Sequence, residues 1–104
     1  MIDILSTIER WKARGDRIAL ATVVEVERSA PRGPGSSMAV NDRGEVVGSV
    51  SGGCVEEAVY AQAQDVIATA RPRLVSYGIS DDAAMAVGLT CGGTIHVFIE
   101  PLEW

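Results

Sequence analysis

A chain of 104 residues, 47% hydrophobic and 22% charged, has ordinary globular composition and the length of one compact domain over 1–104. At this size about two-thirds of the unfolded surface is buried on folding, so a core forms without a disulfide or a structural metal. With 9 Lys+Arg against 14 Asp+Glu the net charge is −5, which argues against a general nucleic-acid binder, since such proteins carry a basic stripe for phosphates. No apolar run approaches the roughly 20 residues of a membrane span, and Met1-Ile2-Asp3 opens an amphipathic stretch in place of a signal peptide. A cytoplasmic protein without membrane attachment is expected. Cys54 and Cys91 lie far apart without CxxC pairing, so free thiols are expected in place of a disulfide framework or a zinc ribbon.

Asp3 can cap a helix over 4–14, with Ile4, Leu5, Ile8 and Trp11 at helical spacing and Gly15 as its stop. The run from Arg17 to Glu27 is apolar on both faces, as a central strand requires. Arg28 to Gly35 holds 2 prolines and 2 glycines and reads as a loop at a strand end. Met38–Asn41 and Glu45–Val50 flank the turn sequence N-D-R-G and predict a hairpin whose second strand runs into Ser51-Gly52-Gly53-Cys54. Residues 54 to 70 carry Val55, Ala58, Val59, Ala63, Val66, Ile67 and Ala70 on one face of a long helix that Pro72 ends. Leu74–Tyr77 fits a short strand, and Ser80-Asp81-Asp82 can cap a brief helix through Met85 or Val87. After the glycine-rich turn Gly88–Gly93, the run from Thr94 to Glu100 alternates Ile95, Val97 and Ile99 with polar and bulky residues, as a half-buried strand does. The expected fold is α/β: a mixed sheet of about five strands with an amino-terminal helix and a long helix after the glycine-glycine-cysteine loop.

The richest local signal is Ser51-Gly52-Gly53-Cys54 between a strand and that helix. Its glycines let backbone amides approach a ligand, and the helix start favours an anion or a thiolate, placing Cys54 in the first helical turn as a candidate nucleophile or soft-metal ligand. The same residues also suit a plain turn and a buried thiol. Cys91-Gly92-Gly93 repeats the combination before the last strand, where α/β folds place sites. Arg32, Ser36 and Ser37 offer a guanidinium fork and hydroxyls to an anionic ligand. His96 and Glu56 are candidates for moving protons, and the chain lacks a dinucleotide fingerprint, a Walker lysine and a nucleophile elbow.

The segments S-A-P-R-x-x-G-x-x-M-x-V from Ser29 to Val40, G-S-V-S-G-G-C-V-E from Gly48 to Glu56, and G-L-T-C-G-G ahead of a strand ending in Glu100-Pro101 together resemble the amino-terminal domain of the XdhC/CoxI family. These are maturation proteins of xanthine dehydrogenase, carbon monoxide dehydrogenase and related molybdenum hydroxylases. The resemblance implies a chaperone more than an enzyme, one that binds the molybdenum cofactor (molybdopterin), assists its sulfuration and delivers it to a client. On that basis Cys54 and Cys91 are expected to meet the metal. Ser51, Gly52, Gly53, Gly92, Gly93, Arg32, Ser36 and Ser37 are expected to hold the pterin and its phosphate. The expected partners are the molybdenum hydroxylase client and a cysteine desulfurase as sulfur source, with a homo-oligomer open. Many family members continue into a carboxy-terminal dinucleotide-type domain. Two other classes stay open: a thiol enzyme using Cys54 as nucleophile or persulfide carrier, and an interaction subunit for a partner carrying that second domain.

Overall fold

The computed structural model describes residues 4–27, 35–50, 55–78 and 94–102. Helix α1, Ile4–Ala13, buries Ile8 and Trp11, and the basic Arg10 and Lys12 of its last turn complement its negative end. Its apolar stripe is narrower than the sequence suggests: Ile4 joins Ile8 and Trp11 against the sheet, whereas Leu5, rotated off that line, is exposed. Strand β1 covers Ile18–Glu27, β2 Ser37–Asn41 and β3 Val46–Gly48; after helix α2, Glu56–Thr69, come β4, Arg73–Gly78, and β5, Thr94–Pro101.

The strands form one five-stranded sheet in the order β3-β2-β1-β5-β4. The doubly apolar run of β1 thus occupies the centre. Its Ala19, Ala21 and Val23 join Met38, Val40, Ile95, Val97 and Ile99 beneath Val59, Ala63, Val66 and Ile67 of α2. On the opposite face Ile18, Ala39 and Val47 pack against α1. The register shifts between Val23 and Glu25 where β1 pairs with β5, leaving Val24 as the extra residue and half exposed.

A mixed sheet is the expectation from a strand–helix–strand passage, yet every neighbouring pair is antiparallel. The reason lies in α2. It carries the chain from β3 at one edge to β4 at the other, so the two parallel strands of this passage are separated by β2, β1 and β5. At the end of α2, Ala70 takes a left-handed φ of 57° and donates its N–H to the Val66 carbonyl, while Arg17 donates to the Ile67 carbonyl.

The hairpin of β2 and β3 is pinned by a polar network. Buried Asn41 donates to Asp16 and Glu45 and accepts the backbone N–H groups of Arg43 and Glu45, so its polar atoms are satisfied. Asp16, with a side chain only 2% exposed, bridges Arg14 at 2.5 Å and Arg43 at 2.8 Å. Withdrawal from water pushes the Asp16 carboxyl up, and the hydrogen bonds and charges of Arg14 and Arg43 outweigh it, leaving the group below its ordinary value. The hydrogen bond from Arg14 likewise lowers Glu45.

Candidate functional site

Register places the strand ends that flank the motif-bearing connections at one end of the sheet. At that end Thr94 pairs with both Glu27 and Gly78, so β1 leaves, β4 leaves and β5 enters together. Ser37 enters β2 opposite Thr22, and Gly48 leaves β3 opposite Met38. The chain between β1 and β2, between β3 and α2, and between β4 and β5 therefore issues from the same end, and α2 starts there. The opposite end holds the Asp16 network, the hairpin turn and the exit of α2.

Of the candidate residues, Ser36, Ser37, Glu56 and His96 are described. Arg32, Ser51, Gly52, Gly53, Cys54, Cys91, Gly92 and Gly93 lie outside the described residues, as does the short helix expected from Ser80. The helix after the cysteine begins at Glu56 with Val55 as its N-cap, so the expected start at residue 54 moves two residues along the chain.

What the described residues build around the S-G-G-C segment is a set of hydrogen bonds at its two flanks. Gly35 and Ser36 continue the sheet by pairing with Val23, donating to its carbonyl and accepting from its N–H at 2.7 and 2.9 Å. The Ser37 hydroxyl donates to the Gly35 carbonyl at 3.3 Å, and the Ser37 carbonyl accepts the Ser49 N–H at 3.1 Å. That approach needs a glycine at 48: φ is +86°, and a Cβ there would stand 2.4 Å from the Ser37 carbonyl oxygen. Beyond the segment, the Glu56 carboxylate accepts the Ser49 hydroxyl at 2.5 Å and the Val50 N–H at 3.0 Å through a single oxygen. Ser37, Ser49 and Glu56 thus tie the start of β2 to the exit of β3 and to the first turn of α2.

Sequence reasoning takes Glu56 as a candidate proton carrier, and the structure shows it engaged in this clasp. The signal is the hydroxyl at 49 and the carboxylate at 56 on either side of a glycine pair, which acquires meaning only once the strand and helix are placed. Glu56 and Glu57 also put two carboxylates in the first turn of α2. They occupy the positive end of the helix dipole, so the anion expected at the helix start has internal competition.

His96 stands on the other side of the sheet. Its neighbours Ile95 and Val97 are buried in the α2 core, so alternation puts His96 on the opposite face, where its Nδ1 lies 2.6 Å from the Ser76 hydroxyl. It does not share the face on which α2 begins. Tyr77 does: it packs with Val55 on the α2 core, and its hydroxyl is buried without a hydrogen-bond partner among the described residues. Burial pushes that phenol above its ordinary value, and a buried polar group is ordinarily satisfied. No cluster of three or more metal-ligating side chains occurs among the described residues, nor a helix long and apolar enough to cross a membrane.

Comparison with known proteins adds to this geometry. The family model of the XdhC and CoxI family matches residues 11–78. A probable xanthine dehydrogenase subunit of Bacillus subtilis (strain 168) is 38% identical over 87 residues, 82% of this chain and 26% of the relative. The molybdenum cofactor insertion chaperone PaoD of Escherichia coli (strain K12) is 35% identical over 89 residues, 86% of this chain and 28% of its own length. Among solved structures, a crystal structure described as a xanthine dehydrogenase from Bacillus halodurans superposes with a TM-score of 0.80 at 34% identity, covering 98% of this chain and 31% of that one. The chain thus spans between a quarter and a third of the length of these relatives.

Proposed function

The chain belongs to the XdhC and CoxI family, and from that premise we propose that it acts in the maturation of a molybdenum hydroxylase, holding the molybdenum cofactor at the loop end of its sheet and passing it to a client of xanthine dehydrogenase type. The cofactor is cargo here, and the protein is a chaperone without turnover of its own. The observation that carries the reading is that the strand ends flanking the motif-bearing connections lie at one end of the sheet, two of these flanks being joined through Ser37, Ser49 and Glu56.

In this reading Cys54 and Cys91 supply soft thiolates to the molybdenum. The amides of Gly52, Gly53, Gly92 and Gly93, with the Ser51 hydroxyl, hold the pterin. The phosphate goes to Arg32 beside Ser36 and Ser37, because the carboxylates of Glu56 and Glu57 oppose a further anion at the start of α2. Sulfuration of the bound metal with sulfur from a cysteine desulfurase, a client of carbon monoxide dehydrogenase type, a homo-oligomer and a cytoplasmic setting complete the proposal. The E. coli relative's name as a molybdenum cofactor insertion chaperone supports its central step.

The test is an anaerobic titration of the purified chain with molybdenum cofactor, followed by pterin fluorescence and metal analysis. The parent is expected to bind, and Cys54→Ala to weaken binding by about tenfold or more, equivalent to about 1.4 kcal/mol. If the parent fails to bind, or if Cys54→Ala binds equally and still supports sulfuration of a client hydroxylase, the reading is wrong.

A further inference from the structure

We infer that Glu56 is the positioning residue of this site: its carboxylate, bonded to the Ser49 hydroxyl and the Val50 N–H, fixes the exit of β3 against the first turn of α2 and so sets the span between them. The inference rests on the proposed function for what the site holds, and on geometry for how it is held.

The geometry is unusual for a residue in the first turn of a helix. A carboxylate there ordinarily complements the dipole or reaches back to free helix amides. One Glu56 oxygen reaches outside the helix to Ser49 and Val50, neither of which belongs to α2. Both partners are themselves anchored: Ser49 donates its N–H to Ser37, and Val50 is fully buried in the core beneath α2. The exit of β3 and the first turn of α2 are thereby held to each other through one carboxylate. A charged acceptor makes such bonds stronger than neutral ones. Removing it leaves the Ser49 hydroxyl and the Val50 amide without this acceptor, while every strand pairing and the apolar core remain.

The experiment uses the full chain and compares Glu56→Ala with Glu56→Gln, whose side-chain oxygen can accept both bonds without the charge. Amide hydrogen exchange followed by NMR should show the Val50 N–H exchanging about tenfold faster or more in Glu56→Ala, with the core amides of Val59 and Val97 unchanged and Glu56→Gln close to the parent. In parallel, anaerobic titration with molybdenum cofactor should show affinity lost in Glu56→Ala and recovered in Glu56→Gln. Unchanged Val50 exchange in Glu56→Ala overturns the inference, as does equal acceleration at Val59 and Val97, which would make Glu56 a general stabilising residue. Free exchange at Val50 with undiminished cofactor affinity also overturns it. If the parent binds no cofactor, the functional reading fails, and the exchange data alone then decide whether Glu56 fixes the two flanks.

Discussion

Gly48 shows how much one missing side chain can position. It sits at the last residue of β3 with a φ of +86°, and the space where a Cβ would stand is occupied by the Ser37 carbonyl oxygen at 2.4 Å, Ile4 Cδ1 at 3.2 Å and Met38 Cα at 3.3 Å. Gly15 has nearly the same φ, +82°, but nothing within 4 Å. The two glycines therefore separate backbone strain from steric exclusion. Gly15→Ala should cost about 1–2 kcal/mol through its left-handed φ alone. Gly48→Ala carries the same strain and must also displace backbone, so its loss should exceed that of Gly15→Ala by at least about 1 kcal/mol. Urea denaturation of the two variants beside the parent checks this. Equal losses would mean that β3 can retreat from Ser37 freely, and that the Ser37–Ser49 bond does not hold the entrance of the site.

At the scale of elements, the Asp16 network joins the turn after α1 to the hairpin of β2 and β3, and its charges give the fold an acid-sensitive joint. Asp16 and Glu45 both titrate below their ordinary values. A carboxylate depressed in the native state contributes stability that is complete above the unfolded pKa, about 4, and is lost as pH falls through the lower native value. Asp16→Asn removes the charge that Arg14 and Arg43 face. The variant should be less stable than the parent at neutral pH, with the difference narrowing below about pH 4; urea midpoints measured from neutral to acid pH test it, and a pH-independent difference would assign the loss to packing. The elements so joined are largely legible in the sequence, because periodicity and turn residues are local: α1, the central β1, the hairpin around Gly44 and the alternation of β5 all follow from spacing. The sheet order is not legible. Nothing local tells β5 to insert between β1 and β4, or tells α2 to cross the whole sheet, and so local patterns predict a mixed sheet where the strands pair antiparallel. The same limit hides the clasp. Glu56 reads as a candidate proton carrier on an amphipathic helix until Ser49 and Val50 are placed beside it.

Over the whole molecule, the crossing of α2 divides the work of the fold by position. Its middle and later turns place Val59, Ala63, Val66 and Ile67 over β1, β2 and β5, and these residues hold the layers together, whereas its first turn belongs to the loop end. Stability and cargo binding should therefore be separable within one helix. Val66 is fully buried and contributes nothing to the loop end except through the core. Val66→Ala should remove about 1.5–3 kcal/mol of burial and lower the midpoint of thermal unfolding by on the order of 10 °C. The affinity for molybdenum cofactor, measured well below that midpoint, should stay at the parent's value, because the folded population still presents the same Ser37, Ser49 and Glu56 connections. Glu56→Ala should show the reverse pattern, a small change in unfolding midpoint and a large one in affinity. Loss of affinity in Val66→Ala at a temperature where it remains folded would mean that the core and the loop end move as one unit, and that the site depends on the packing of the entire helix.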